Sequence, residues 1–142
     1  MCHVTFQKQL KLTDVDRLRL REMMESLAMM KYPFRAYVRR LDAEIADAAV
    51  VPAASVEPDV VTMNSHVRIA DLDSGTAESI TLVYPTESDM LQSRLSVLSP
   101  LGIELIGQRA GDTVEWTVPG GVRRVRIERV LYQPEAAGHF HL

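Results

Sequence analysis

Residues 94–111 read RLSVLSPLGIELIGQRAG, and this stretch decides the fold of the second half of the chain. The apolar positions of 94–98 are typical of a strand. Ser99 can cap a helix with its hydroxyl, and Pro100 suits the first helical turn because its missing amide hydrogen is not needed there. Gly107 is suited to end that helix. The stretch therefore predicts a strand followed by one short helix.

Short runs with a high strand tendency lie on both sides of this unit, and turn residues separate them. Pro119-Gly120-Gly121 predicts a hairpin turn, since glycine readily reaches the positive φ values of tight turns. Together the runs predict an antiparallel sheet with a single helix. The predicted strands cover residues 60–63, 67–72, 79–84, 94–98, 113–118 and 123–132.

The first part of the chain has helical periodicity instead. Thr13 is expected to cap a helix over residues 14–30, and Pro33 interrupts the pattern before a second apolar run over 34–48. Two antiparallel helices fit this pattern, each about 17 residues and ~25 Å long. Residues 52–58 favour neither helix nor strand and predict a linker with few contacts. The predicted class is α+β, with a helical hairpin over residues 1–55 and a sheet domain over 56–142.

The composition limits the classes of function. The chain has 142 residues, 46% hydrophobic composition and a formal charge of −3, so it can bury one core with a small appendage. That charge predicts only an indirect or local role with DNA or RNA. Cys2 has no partner for an internal disulfide, and no apolar run is long enough for a signal peptide or a membrane span. A cytoplasmic protein without a membrane role is expected.

Several separated blocks resemble the C-terminal domain of the Gre transcript-cleavage factors. These are residues 95–102 (LSVLSPLG), 105–107 (LIG), 110–112 (AGD) and 119–121 (PGG). Three further blocks are similar to the nucleoside diphosphate kinase regulator branch of that family. They are residues 59–65 (DVVTMNS), 81–85 (TLVYP) and 132–138 (YQPEAAG). The resemblance covers about residues 59–138 and implies an FKBP-like domain, a curved antiparallel sheet with a short helix.

The resemblance also implies a partner, RNA polymerase, gripped at the β′ subunit coiled coil beside the secondary channel. The turn at Ser99 and Pro100, followed by Leu101, is then the expected contact. The predicted hairpin tip adds three candidate partner-binding residues, Lys31, Tyr32 and Arg35.

The tip departs from the Gre pattern. Residues 27–41 contain four basic residues and no Asp or Glu, whereas Gre factors carry acidic residues there that help to hold a catalytic magnesium ion. A binding protein without transcript-cleavage activity is therefore expected, and not an enzyme. The alternative is a protein that regulates nucleoside diphosphate kinase, or another metabolic protein, by direct binding.

Other possible functional features of the chain have simpler structural explanations. His139 and His141 with Cys2 and His3 suggest a metal site only if the two ends of the chain converge, so no metal and no cofactor are expected. Trp116 lies in a predicted strand and is expected to pack in or beside the core. Prolyl isomerisation would follow only from the fold, which does not determine function.

Overall fold

The computed structural model describes residues 9–27 and 34–142. Its elements are β1 (Lys11–Thr13), α1 (Asp14–Leu27), α2 (Phe34–Ile45), β2 (Ala49–Val51), β3 (His66–Asp71), β4 (Ala77–Val83), β5 (Arg94–Ser96), α3 (Pro100–Leu105), β6 (Thr113–Val118) and β7 (Gly121–Tyr132). Short 3₁₀ helices occupy Ala53–Ser55, Pro85–Glu87 and Met90–Gln92.

Five strands form the main sheet in the order β5-β4-β3-β7-β6. The β3–β4, β3–β7 and β6–β7 pairs are antiparallel, but β5 runs parallel to β4. The prediction of a wholly antiparallel sheet is therefore wrong at this edge. The two 3₁₀ helices between β4 and β5 return the chain so that β5 starts again from the same end as β4, which a tight hairpin turn cannot do.

One core lies on the inner face of the sheet, against α3. Val67 and Ile69 of β3 and Val125 and Ile127 of β7 are buried there, each separated by one outward residue. From α3, residues Ile103 and Leu105 are fully buried in the same cluster, as is Ile106 beyond its end. The helix predicted from residues 99–107 is confirmed and closes this core.

The N-terminal helices share that core. Leu12, Leu20, Leu41 and Ile45 belong to the same buried cluster as the sheet residues. Strands β1 and β2, which the sequence did not predict, pair in parallel and bracket the two helices. The helical part of the chain thus contributes to the packing of the sheet through buried side chains.

The prediction that the linker over residues 52–58 makes few contacts is wrong. Glu57 accepts hydrogen bonds from Lys11 at 2.6 Å and from the Arg109 guanidinium at 2.5 Å, and Arg109 also donates to Asp59 at 3.0 Å. These pairs hold the pKa of Glu57 well below its usual range, near 2, with Arg109 the larger cause. The segment is thus tied by ion pairs to both β1 and the chain following α3.

The helix start predicted at Thr13 is confirmed, since its hydroxyl accepts a hydrogen bond from the Asp16 amide at 3.0 Å. Helix α1 is described to Leu27, and the rest of its predicted span lies outside the described residues, as do Lys31 and Tyr32. Helix α2 ends at Ile45, earlier than the predicted 48, because the chain turns there into β2. Predicted strand 60–63 is wrong: only Val60 forms an isolated bridge, to Arg109, and a turn follows.

No helix among residues 9–27 and 34–142 is both long and apolar enough to cross a membrane.

Candidate functional site

The turn formed by residues 96–102, called here the docking turn, connects β5 to α3. The Ser99 hydroxyl accepts a hydrogen bond from the Gly102 amide at 3.0 Å and donates one to the Ser96 carbonyl at 2.7 Å. The Ser96 hydroxyl accepts from the Leu98 amide at 3.0 Å. Pro100 occupies the first helical position, where its fixed φ suits the helix. The turn is therefore held by both serine hydroxyls, and its presented side is rigid.

Glycine is required inside this turn. A Cβ atom placed on Gly102 would lie 2.0 Å from the Ser96 carbonyl oxygen and 2.9 Å from the Ser99 hydroxyl. Gly102 itself is buried, while Ser99, Pro100 and Leu101 remain half-exposed. The backbone behind the turn thus packs closely, and the three predicted contact residues face outward in part.

Helix α2 packs beside α3, behind the docking turn. Arg40 of α2 donates to the Glu104 carboxylate at 3.0 Å. Burial and the nearby Glu44 raise the pKa of Glu104, against the lowering effect of Arg40. This ion pair fixes the orientation of α3 relative to the helical part of the chain.

In the described part of the chain, no contact joins the predicted tip residues to the docking turn. Arg35 is exposed near the start of α2. Within residues 9–27 and 34–142, no hydrogen bond or ion pair joins Arg35 to residues 99–101. Arg35 and Arg40 are five positions apart, a rise of about 7.5 Å along the helix.

A cavity of about 250 Å³ opens beside Leu101, where the inner face of the sheet extends past α3. Trp116 lies in its wall, half-buried as expected. Asp71 and Arg123 form an ion pair in the same wall, and Arg123 is the largest cause of a low Asp71 pKa, near 2. The cavity thus combines an apolar wall with a fixed pair of charges, next to the docking turn.

A second cluster, called here the polar junction, comprises Asp16, Thr62, Ser65, Tyr84 and Glu135. The Thr62 amide donates to the Ser65 hydroxyl at 2.9 Å, and the Thr62 hydroxyl donates to Glu135 at 2.7 Å. Because Thr62 uses its only hydroxyl proton on that carboxylate, Ser65 must donate in the 2.8 Å contact between the two hydroxyls. Asp16 accepts from the Met63 amide at 3.0 Å.

Asp16 is the unusual residue of the polar junction, since it is a carboxyl group with only 1% of its surface exposed. Its pKa is raised to about 7, chiefly by burial and to a smaller extent by the charge of Glu135. The Met63 amide and Arg19 act in the opposite direction. The Tyr84 hydroxyl is buried without a hydrogen-bond partner in the described part of the chain, and burial raises its pKa, followed by the charge of Asp16.

The polar junction brings together the three blocks that carried the resemblance to the regulator branch. Block 59–65 touches block 132–138 through Thr62 and Glu135, and through the Gln133 side-chain amide, which donates to the Val60 carbonyl at 2.8 Å. It touches block 81–85 through Leu82, whose carbonyl accepts from the Asn64 amide at 2.6 Å. Sequence reasoning treated these blocks as separate markers and missed their contact. Asp16 carries no local sequence signal for burial, because an acidic residue is common in the first turn of any helix.

No group of three or more His, Cys, Asp or Glu residues within the described ranges could hold a metal ion. His139 and His141 have ring centroids 6.0 Å apart, and His139 Nδ1 lies 2.6 Å from the Tyr132 hydroxyl. Cys2 and His3 lie outside the described residues.

Several known proteins are similar to this chain in sequence or in fold. Residues 56–132 match the family model described as the C-terminal part of the transcription elongation factors GreA/GreB. A regulator of nucleoside diphosphate kinase from Escherichia coli (strain K12) is 36% identical over 132 residues, which cover 92% of this chain and 95% of that protein. Transcription elongation factor GreA from Thermotoga neapolitana is 41% identical over 76 residues, covering 54% of this chain and 49% of that factor.

A solved structure supports the same grouping. A prokaryotic transcription elongation factor GreA/GreB from Nitrosomonas europaea superposes with a TM-score of 0.73 at 39% identity, covering 87% of this chain and all of that one. Both comparisons thus place the chain in a class of transcription factors. The chain is a member of the GreA/GreB family. Within that family it is similar over nearly its whole length to the regulators of nucleoside diphosphate kinase.

Proposed function

We propose that this protein is a transcription regulator that binds RNA polymerase beside the secondary channel, with the docking turn against the β′ subunit coiled coil. The observation that carries this proposal is the geometry of the turn. Ser99, Pro100 and Leu101 are partly exposed, yet the backbone behind them is fixed by serine hydroxyls and by the close approach at Gly102. A rigid, preorganised loop loses little entropy on binding. The cavity beside Leu101 offers room for a side chain of the partner.

The binding test uses the Ser99→Asp/Pro100→Glu double variant. Aspartate is also a good N-cap, and glutamate is favourable in a first helical turn, so the helix start is retained while two charges are added to the contact. Affinity for polymerase core should fall about tenfold or more, since a buried unpaired charge at an interface costs roughly 2 kcal/mol or more. The thermal midpoint should stay close to that of the unmodified protein.

A matched control places the same charges elsewhere. Thr86→Asp/Ser88→Glu alters two exposed residues between β4 and β5 and should retain polymerase affinity. Equal affinity for the Ser99/Pro100 variant and the control would show that the docking turn is not the contact.

We further propose that the protein does not stimulate transcript cleavage. Arg35 lies at the start of α2, and within residues 34–41 no Asp or Glu accompanies it. Carboxylates are the ligands that a second magnesium ion would need. Added to an assay driven by a Gre factor, this protein should reduce cleavage of a backtracked transcript by competition, and the Ser99/Pro100 variant should compete less. Cleavage stimulated by the protein alone would refute this part of the proposal.

The division into residues 1–55 and 56–142 is proposed as a division of folding as well. A fragment beginning at Val56 keeps all five strands of the main sheet and α3, and should melt cooperatively. It should be less stable than the full chain because it loses Leu20 and Leu41, both fully buried. Circular dichroism during heating checks this, and a fragment without a cooperative transition would make the two parts one folding unit.

Direct regulation of nucleoside diphosphate kinase is the alternative, favoured by the name of the relative that is similar over 92% of the chain. Affinity capture with the full-length protein, followed by binding assays with purified partners, separates the two. Binding to the kinase with none to polymerase core would replace the leading proposal.

A further inference from the structure

The outer face of the main sheet, opposite α3, carries a group of arginines called here the basic face. All five are exposed. They alternate with the buried residues of β3 and β7 or stand at the β5 edge, so their side chains share one side of the sheet. The basic face consists of Arg68, Arg94, Arg124, Arg126 and Arg129.

Much of this positive charge is not neutralised by the protein. Arg68 pairs with Glu128 at 3.0 Å, and Arg124 pairs with Asp73 at 3.2 Å. Arg94, Arg126 and Arg129 form no ion pair within residues 9–27 and 34–142. The formal charge of the whole chain is −3, whereas the arginines of the basic face give that surface a positive charge. Such a local field attracts an anionic partner even when the net charge does not.

The same face has a row of polar and ring-bearing side chains beside the arginines. Strand pairing aligns Arg94 with Thr81, Thr81 with His66, and His66 with Tyr132. The Tyr132 ring lies 5.8 Å from the ring of His139 between centroids. Residues paired across strands point to the same face, so these rings border the arginines. The next outward residue pair along the strands is Arg68 with Arg129, about 7 Å further on.

We propose that the basic face binds a single strand of RNA. The free arginines would contact the phosphates, and bases would stack against the rings of Tyr132 and His66. Single-strand sites combine these two features, a positive surface along the backbone and side-chain rings that accept any base. Every basic side chain on the face is arginine, whose planar guanidinium binds phosphate with two parallel hydrogen bonds and stacks on bases.

Two other occupants fit less well. An acidic protein segment would pair with the arginines but would make no use of the rings of Tyr132 and His66. A duplex keeps its bases stacked inside, where ring side chains on the surface of a sheet cannot reach them. The observations therefore favour an unpaired strand.

The test measures fluorescence anisotropy with the full-length protein and a labelled 12-nucleotide single-stranded RNA of mixed sequence. Binding is expected with a Kd of roughly 1–100 µM at 50 mM salt. Three to five phosphate contacts should give a slope of log K against log salt of about −2 to −3.5. Arg126→Glu/Arg129→Glu should weaken binding about tenfold or more, because it removes two contacts and adds repulsion.

The matched control, Arg21→Glu/Arg39→Glu, makes the same charge change on exposed positions of α1 and α2 and should stay within about twofold of the unmodified protein. Tyr132→Leu should weaken RNA binding about fivefold, since stacking contributes about 1–3 kcal/mol per base, while binding to polyglutamate should not change. Thermal midpoints of all variants establish that they are folded.

Three outcomes would overturn the proposal. One is the absence of RNA binding at 50 mM salt, and another is an equal loss in the basic-face variant and its control. The third is equal binding of RNA, its duplex and polyglutamate with no effect of Tyr132→Leu, which would make the face a general polyanion surface. None of these variants alters the docking turn, so their result is independent of polymerase binding.

Discussion

The docking turn and the turn of the polar junction have similar hydroxyl hydrogen bonds, but we expect them to respond differently to pH. In each, a hydroxyl three residues away organises the backbone: Ser99 with Ser96 in the first, and Thr62 with Ser65 in the second. The hydrogen bonds of the docking turn use only serine hydroxyls and backbone groups. Those of the polar junction continue to Glu135, and Asp16 binds the adjacent Met63 amide. Similar local geometry thus occurs once with hydrogen bonds between serine hydroxyls and backbone groups, and once with hydrogen bonds that continue to carboxyl groups.

The largest expected effect comes from breaking the docking turn at its backbone. Gly102→Ala places a methyl group 2.0 Å from the Ser96 carbonyl oxygen, so residues of β5 or α3 must move apart. We expect a loss of about 3 kcal/mol or more in the free energy of unfolding, measured with urea. Gly120→Ala is the control, because that glycine has φ +93 but no atom within 4 Å of the added methyl. A loss no greater than that of the control, which should be about 1 kcal/mol, would show that the close approach is not needed.

The second prediction concerns the pH response of the polar junction. Asp16 has a pKa of about 7 in the folded protein, above its ordinary value of 3.8, so the native state binds the proton more tightly than the unfolded state. Its contribution to stability is present at acid pH and is lost as the pH rises from about 4 to about 7. The stability lost across this window is on the order of 2 kcal/mol or somewhat more.

Asp16→Asn should flatten this part of the stability profile, because the amide does not titrate and can still accept from the Met63 amide. Asp14→Asn is the matched control on the same helix, since Asp14 is exposed, and it should retain the slope. Urea unfolding at pH 4.5, 5.5, 6.5 and 7.5 measures the difference. An unchanged slope in the Asp16 variant would assign the pH response to other groups.

The smallest effect is expected at the hydroxyl of the docking turn. Ser99→Ala removes one cap and one bond to the Ser96 carbonyl, and it should cost about 1 kcal/mol. The cost should be the same at pH 5 and pH 7, because no titratable side chain in the described ranges hydrogen-bonds to this hydroxyl. If the cost of Ser99→Ala differed between pH 5 and pH 7, the docking turn would also respond to pH, and the proposed difference between the two turns would be wrong. Ser99→Asp should restore the cap at the Gly102 amide only, because a carboxylate has no proton to donate to the Ser96 carbonyl.

The contrast also separates what the sequence could predict from what it could not. The docking turn was predictable because its information is local: the cap, the proline and the terminal glycine lie within nine residues of each other and have direct backbone meanings. The polar junction was not, since Asp16, Thr62 and Glu135 are far apart in sequence and each residue alone has an ordinary surface interpretation. Long-range packing, and not propensity, buries them.

The errors in the sheet have a similar origin. Residues 60–63 are apolar enough for a strand, but Asn64 takes a positive φ of 66° and Thr62 and Ser65 close a turn. Val60, Val61 and Met63 are therefore buried with only an isolated bridge at Val60 and no regular strand. The parallel direction of β5 could not be predicted, because the residue pattern of a strand does not show in which direction it runs relative to its neighbour. The charge total likewise concealed the basic face, which depends on alternation along β7 and on its neighbours.

The parallel pairing of β1 and β2 has a consequence for how the chain can change length. Lys11 faces Ala49 and Thr13 faces Val51, so the polypeptide leaves the body of the protein and re-enters it at adjacent strands, about 5 Å apart. Everything between them is an excursion whose two ends are fixed side by side. Lengthening or shortening the excursion by equal numbers of helical turns on each limb leaves both anchor points in place. Because Leu20 and Leu41 belong to the core, only the parts of the helices beyond these residues can change in length while the rest of the protein stays the same.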